Sequence, residues 1–529
     1  MLKVYSLLLA VIALFTVIES YKILIYNPKI GFSHVAFASQ IADVLVDAGH
    51  EVVVATVDMD LDIKHKGANK ARIYQIKSNA ECIETLTKNP LKDMMWNMSD
   101  DAVSQFQMFK TFFHAQELTR SDIIKDKELA EFVLAEKFDF AYTEIFNLYM
   151  IAMFKHWNIP AYAVGTATCL AENHYSIFGV AFAPSYMPIM IAGSSDKMTY
   201  YERAKNLASF AFSKFFFTYN REMFTGEEEI NAALGENVFS TEKDIAESSF
   251  IFLNSHPFLE LPNAKAPKMI EVSGIGIPEP KPLDKYWLDI LNLRTDTILI
   301  SFGSLAKSSK MPTEMQRGII NAIKAMPDKT FIWKYETPND GVIPKLDNLI
   351  LSNWVPQNDL LNNEKLSLFV THGGMNSITE LAYRGIRTLC IPIFGDQMKN
   401  ARLVSRAKIG IVMAKEDLIF GEKIKANILG VLENTEFKEN AIRLSKMMNN
   451  RPISSKDLLV KHVEFAAQFK KLPMLDLESI NQSFIVYYLL DIILPFVLLL
   501  LLFFYITFKV TSKILSCVFG SKSLKEKRD

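Results

Sequence analysis

The chain has 529 residues with a formal net charge of −1, half of them apolar and 22% charged. That length exceeds one compact core and points to two domains with additions. The apolar content excludes global disorder, and the balanced charge excludes a nucleic-acid partner, because no basic excess is present to neutralise a phosphate backbone.

The chain opens with a short basic start, Met1-Leu-Lys3, an apolar run from Val4 to Ile18 and then Glu19-Ser20. This pattern reads as a secretory signal peptide over residues 1–20. Tyr21 to Tyr26 is then an apolar run of strand length, followed by a loop, Asn27 to Ser33. From His34 to Ala48 the apolar residues Val35, Ala38, Ile41, Ala42 and Leu45 have helical spacing, and Gly49 stops the helix. Glu51 to Thr56 is a second strand, so the segment is a βαβ unit of a parallel sheet. His34 therefore stands at the carboxyl edge of that sheet, where ligands bind. Its imidazole titrates near neutral pH and can take a proton from a hydroxyl.

Further along, Asp58-Met-Asp60 has the look of a metal-binding carboxylate pair but reads as loop charge. Asn97-Met-Ser99 is a glycosylation sequon, and a better one than Asn481-Gln-Ser483, which lies close to the expected membrane span. Phe138 to Thr143 and Ala161 to Gly165 read as strands of the first sheet. Glu144 then falls on the same edge as His34, whereas Asp139 lies near the strand start, on the opposite edge. A carboxylate behind an imidazole fixes its tautomer and stabilises its cation. The stretch from Tyr201 to Glu229 reads as amphipathic helix that packs on the core, with the membrane surface or an acceptor molecule as the alternative contact. Gly274-Ile-Gly276 lacks the third glycine and the following helix of a dinucleotide site.

A proline-rich linker, Pro278 to Pro282, precedes a second alternation. Ile298 to Phe302, Thr330 to Lys334, Leu349 to Asn353, Leu366 to Thr371 and Thr388 to Ile391 are strands, with a helix at Thr313 to Ala325. The boundaries are 21–285 for the first α/β domain, 286–450 for the second and 451–483 for a C-terminal helix with a juxtamembrane segment. Between Trp354 and Gln397 lies the densest chemistry. The strand ending at Thr371 leads through His372-Gly373-Gly374 into a helix, whose glycine-led N-terminus offers free N–H groups and a positive dipole end to an anion. His372 and Ser377 add donors. Glu380, eight residues after His372, can accept both hydroxyls of a ribose whose diphosphate sits at the helix start. Trp354 offers a flat face to a base, Gln357 an amide to the nucleoside, and Asp396-Gln397 an acceptor and an amide for sugar hydroxyls.

In that order these residues resemble the donor-site signature of the UDP-glycosyltransferase family: Trp-x-x-Gln, His-x-Gly, Asn-Ser, Glu, Asp-Gln. The stretches Pro184-Ser-Tyr-Met-Pro188, Asn254-Ser-His-Pro-Phe258, Ser301-Phe-Gly-Ser304 and Phe331-Ile-Trp-Lys-Tyr-Glu336 also look like its animal members. The resemblance covers the mature chain through the expected span and tail. It implies a GT-B fold, an α/β architecture of two doubly wound Rossmann-like domains facing a cleft, and an inverting transfer from a UDP-sugar co-substrate with no metal and no bound cofactor. By motif, Trp354 and Gln357 would hold the nucleoside, and Glu380 the ribose. His372, Gly374 and Ser377 with Ser304 from the facing loop would hold the diphosphate, Asp396 and Gln397 the transferred sugar, and Asn376 would belong to the same donor site. His34 would be the general base and Glu144 its partner. The family's commoner partner is Asp, so here the reach or the backbone must differ. The acceptor would be a small lipophilic molecule bearing a hydroxyl. The donor would be UDP-glucose or UDP-glucuronate, with a leaning to glucose because the chain looks like invertebrate members. A catalytically inactive binding protein of the same fold is the alternative. The missing dinucleotide motif argues against an oxidoreductase or epimerase.

The apolar run from Tyr487 to Phe508 has the length of a membrane span, and the lysines that follow place residues 509–529 in the cytosol. Lys525 and Lys527 look like a dilysine retrieval signal. The expectation is a single-pass type I protein of the endoplasmic reticulum membrane with both α/β domains lumenal, open to homo-oligomerisation. Four widely spaced cysteines predict buried free thiols rather than a disulfide framework.

Overall fold

The computed structural model describes residues 20–88, 95–98, 102–191 and 193–523. The run read as a signal peptide and the terminal lysines Lys525 and Lys527 lie outside these residues. The described chain forms two compact units that divide between Asp476 and Leu477.

The first unit holds two fully parallel sheets. Strands β1 (Lys22–Tyr26), β2 (Glu51–Val57), β3 (Arg72–Ile76), β4 (Phe140–Glu144), β5 (Tyr162–Thr166), β6 (Ile251–Leu253) and β7 (Met269–Glu271) run in the order β3-β2-β1-β4-β5-β6-β7. Strands β8 (Asp296–Ser301), β9 (Lys329–Lys334), β10 (Leu349–Ser352), β11 (Leu366–Thr371), β12 (Thr388–Cys390) and β13 (Gly410–Val412) run β10-β9-β8-β11-β12-β13. Each order reverses once, between β1 and β4 and between β8 and β11. Such reversals open the crevices in which parallel sheets bind ligands.

The apolar runs become strands buried on both faces. In β8, Ile298 and Ile300 face one core with Trp333, Ile319 and Ile428, whereas Leu299 faces another with Phe369, Ile378 and Leu381. The first sheet packs against the helix Phe32–Asp47 through Ala38, Ile41, Ala42 and Leu45. Its core also takes Leu459, Val463 and Ala466 of the helix Ser455–Phe469, so the chain returns to the first sheet after completing the second.

The stretch read as one helix from Tyr201 to Glu229 is three: Tyr200–Tyr219, Arg221–Thr225 and Glu227–Leu234. Gly226 breaks it at φ +66°, where the buried Arg120 side chain fills the space that a Cβ would need. In the second unit a short helix, Phe484–Tyr487, precedes Leu489 at φ +54°, and a long helix spans Leu490–Ser523. The candidate span within it is Leu490–Val518, displaced from the expected 487–508. The left-handed residue resets the chain after Tyr487, and Lys509 and Lys513 continue the helix because its backbone bonding does not depend on apolar side chains. Cys82, Cys169 and Cys390 are buried free thiols, and Cys517 is exposed.

Candidate active site

At the first reversal, Tyr26 of β1 pairs with Thr143 of β4, so the loop after β1 and the end of β4 emerge side by side. Gly31 ends that loop at φ +71°, and a Cβ there would stand 2.9 Å from Cδ2 of His34. Glycine thus lets the backbone turn into the helix and gives the imidazole its place. His34 Nδ1 lies 3.0 Å from Glu144 Oε1. The carboxylate is held three ways: Oε1 also accepts the Ala167 N–H at 3.1 Å, and Oε2 accepts the Phe146 N–H at 2.8 Å. Phe146 closes one side of the imidazole edge-on, with centroids 5.0 Å apart. Burial pushes the imidazole pKa down, but the Glu144 charge and hydrogen bond, with the charge of Asp396, outweigh it, and the net shift is upward. Asp139 instead accepts the Lys22 N–H at 2.8 Å at the opposite sheet edge, well removed from His34 in the fold.

At the second reversal, Ser301 of β8 pairs with Thr371 of β11. Phe302-Gly303-Ser304 and His372-Gly373-Gly374 therefore leave the sheet as neighbours. The His372 ring lies between them, 2.7 Å from a Cβ built on Gly303 and 2.6 Å from one built on Gly374. Gly374 caps the helix Met375–Arg384 without a side-chain hydrogen bond, which leaves its first-turn N–H groups for an anion. Burial and nearby Lys334 push the His372 pKa down to about 4, so the ring is neutral and donates through one nitrogen. Ser304 is exposed at the loop tip, and Ser377 is buried in the first turn.

Gln357 opens the short helix after β10 and donates from Nε2 to Glu380 Oε2 at 2.5 Å. Burial raises the Glu380 pKa against the pull of Gln357 and Arg384. Trp354 is 64% exposed, a free ring face on the loop between them. Asp396 starts the helix Gln397–Ala407 and accepts from Asn400 Nδ2 at 2.8 Å. Burial raises its pKa, and His34 is among the charged groups pulling it back. Gln397 is tied down through its oxygen. Its Oε1 accepts the N–H groups of Ile393 and Phe394 at 2.9 and 3.2 Å, so only its amide NH₂ can turn to a ligand. Asn376 accepts from Asn254 Nδ2 at 3.3 Å, tying the helix to the loop after β6.

The remaining sites resolve simply. Asn97 is exposed, beside buried Trp96, and Ser99 of its sequon lies outside the described residues. Asp58 pairs with Lys29 at 2.6 Å, and Asp60 accepts the Asp62 N–H. Gly274 and Gly276 let the chain pass close to Tyr383 and Gln40.

Three further residues were not singled out from the sequence. Lys334, at the end of β9, donates to the Gly303 carbonyl at 2.8 Å and brings a cation to the His372 loop. Lys399 forms a buried ion pair with Glu260 at 3.2 Å. His174 lies within electrostatic reach of Glu144, and its buried Nδ1 finds no hydrogen-bond partner among the described residues. Only the stretch Phe331 to Glu336, around Lys334, stood out in the sequence.

A family model described as UDP-glucoronosyl and UDP-glucosyl transferase matches residues 22–525. Ugt-55 of Caenorhabditis elegans is 27% identical over 450 residues, 84% of this chain and 86% of the relative. UDP-glucuronosyltransferase 1A8 of Rattus norvegicus is 28% identical over 481 residues, 87% of this chain and 86% of the relative. Among solved structures, the glycotransferase of kitacinnamycin superposes with a TM-score of 0.57 at 14% identity, covering 85% of this chain and 99% of its own. LpCGTa in complex with UDP gives 0.54 at 16% identity, covering 85% and 99%. With the family model matched along nearly the whole chain and two Rossmann-type sheets meeting at their reversals, the chain belongs to the UDP-glucuronosyl and UDP-glucosyl transferase family and is a UDP-glycosyltransferase of GT-B fold.

Proposed function

We propose that this chain transfers a hexose, glucose or glucuronic acid, with inversion from a UDP-sugar to a hydroxyl of a small lipophilic acceptor. The observation that carries the reading is the His34–Glu144 pair at 3.0 Å, at the carboxyl edge of the first sheet. Glu144 accepts a hydrogen bond from Nδ1–H, which leaves the Nε2 lone pair as the basic atom. Nε2 removes the acceptor proton as the oxygen attacks the anomeric carbon. The bond from that carbon to the UDP oxygen breaks on the opposite face, and the configuration inverts. The imidazolium so formed is stabilised by Glu144. Trp354 stacks on uracil, while Gln357 and Glu380 bind the nucleoside and its ribose. His372, Gly374, Asn376, Ser377 and Ser304 hold the diphosphate, whose developing charge meets the open N-terminus of Met375–Arg384. Asp396 and the Gln397 amide hold the sugar.

Leu490–Val518 anchors the protein in the membrane of the endoplasmic reticulum, with the α/β unit lumenal and Asn97 glycosylated. The mean apolar character and length of that helix support the anchor. The test is the full chain with UDP-glucose, UDP-glucuronate and a generic phenol, reading released UDP. His34→Ala lowers turnover about 100- to 10,000-fold with UDP affinity unchanged. Full turnover in that variant would remove His34 as the base.

A further inference from the structure

The helix Tyr200–Tyr219 turns an apolar stripe to water. A helix on a globular surface normally turns apolar residues to the core and polar ones to water. Here the two fully buried residues are polar, and half-buried Phe210, Phe216 and Phe217 pack beside them on Phe182 and Phe224. Asn206, 1% exposed, donates to the carbonyls of Pro184 and Met187 at 2.8 Å each and accepts the Ile189 N–H at 3.0 Å. Ser213, fully buried, donates to Glu172. The outward stripe is apolar. Tyr201 is 75% exposed, Leu207 56%, Phe215 68% and Tyr219 80%, and exposed Ala204, Ala208 and Ala211 fall between them at three- and four-residue spacing. None of these outward side chains is needed to hold the helix, which is fixed by Asn206 and Ser213, by half-buried Phe210, Phe216 and Phe217, and by a capping box at Thr199 and Glu202.

We propose that this outward stripe docks on a lipid bilayer. Three features favour lipid over another protein. The stripe is flanked by Arg203, Lys205 and Lys214 against the single acidic residue Glu202, a balance that suits an anionic headgroup layer. Tyrosines mark both ends of the helix, at Tyr200, Tyr201 and Tyr219, where an amphipathic ring suits the boundary between headgroups and water. The same chain carries the candidate span Leu490–Val518, so a bilayer is supplied in cis. A tethered surface needs only weak intrinsic affinity, because the tether removes most of the cost of encounter. The proposal rests on the membrane anchor put forward above.

The test uses the full chain in vesicles of phosphatidylcholine and phosphatidylserine. Cys517→Ser removes the exposed thiol, and single cysteines at Leu207, Phe215, Leu134 and Leu500 carry an environment-sensitive fluorophore. All four native residues are exposed, so labelling leaves the core intact. The expected result is quenching by doxyl-labelled lipid at positions 207, 215 and 500, with none at 134. Quenching at 500 alone overturns the docking proposal and leaves the anchor standing. Quenching at none of the sites overturns both, whereas quenching at 207 and 215 without 500 keeps the docking face and removes the anchor. A fluorophore at 215 shielded from water but not quenched by lipid marks a protein partner, a second copy included, and overturns the lipid assignment.

Discussion

Glu144 carries one methylene more than the residue commonly found behind the histidine of this family, and the backbone uses the extra reach. As the last residue of β4, Glu144 folds its side chain back so that Oε2 caps the turn Ile145–Asn147 while Oε1 bridges His34 and the Ala167 N–H. Glu144→Gln keeps the shape and removes the charge. It should lower kcat/KM by at least about tenfold, less than His34→Ala does. Asp139→Asn should leave turnover unchanged, since Asp139 ties only the Lys22 N–H at the far edge; a defect there with a normal Glu144→Gln enzyme would exchange the two assignments. The pH profile separates charge from shape. A general base works neutral, and the folded pKa of His34 is raised, so activity falls on the acid side through a midpoint above the ordinary histidine value of 6.5. Without the Glu144 charge, burial is opposed by Asp396 alone, and the acid limb should move to lower pH even as the plateau drops. An acid limb that stays in place would show that Glu144 does not act on the imidazole.

At the scale of elements, the loop after β8, proposed to hold the diphosphate, is held from a distance in sequence. Trp96, 1% exposed, stands in the core of the second sheet with its ring edge-on to Phe302 at 5.1 Å, and its Nε1 donates to the Lys307 carbonyl at 2.9 Å. It thereby brackets Gly303 and Ser304 from both ends of their loop. Trp96→Phe keeps a ring and loses the hydrogen bond, a cost of about 0.5–1.5 kcal/mol. Trp96→Ala opens a cavity, at about 3–5 kcal/mol. Both should raise KM for the UDP-sugar more than KM for the acceptor, with denaturation midpoints falling in the same order. Equal KM values for donor and acceptor in a folded Trp96→Phe enzyme would leave the ring a purely structural role. This contact was not legible in the sequence, whereas the loop it holds was. Strands such as Lys22–Tyr26 and Leu366–Thr371 announce themselves because an apolar run buried on both faces is a local pattern. Glycine, histidine and a helix start in succession are equally local, so the residues of the donor site could be read in order. The edge strand Arg72–Ile76 is mostly exposed, β6 and β7 have three residues each, and the return of Ser455–Phe469 to the first sheet is a long-range pairing. None of these leaves a periodic trace. Lys334 and the oxygen of Gln397 act through backbone groups that only the folded loops bring near.

For the whole molecule, acid should loosen the joint between the two sheets. His256 lies in the segment that leaves β6, 1% exposed, with Nδ1 accepting the Phe258 N–H at 3.3 Å and its ring edge-on to Tyr383 at 5.9 Å. Burial and then the nearby charge of Arg451 push its pKa down to about 4. In the unfolded chain the ordinary value is 6.5, so between these two pH values the unfolded state binds the extra proton. Stability is therefore fully present above 6.5 and is lost as pH falls toward 4. One such group lowers unfolding free energy by up to about 2 kcal/mol between pH 7 and 5. His174 and His372, also near 4, act in the same direction, while the raised carboxylates of Glu380 and Asp396 act against them. The total slope therefore says little about any one group, and a difference is needed. His256→Phe keeps a ring beside Tyr383 and removes the titration. Its constant penalty from the lost acceptor for the Phe258 N–H is independent of pH, so the gap between wild type and variant should close as pH falls from 7 to 5. Parallel urea-denaturation curves across that range would mean that His256 is protonated alike in the folded and unfolded chain, and that the acid sensitivity of the joint lies elsewhere.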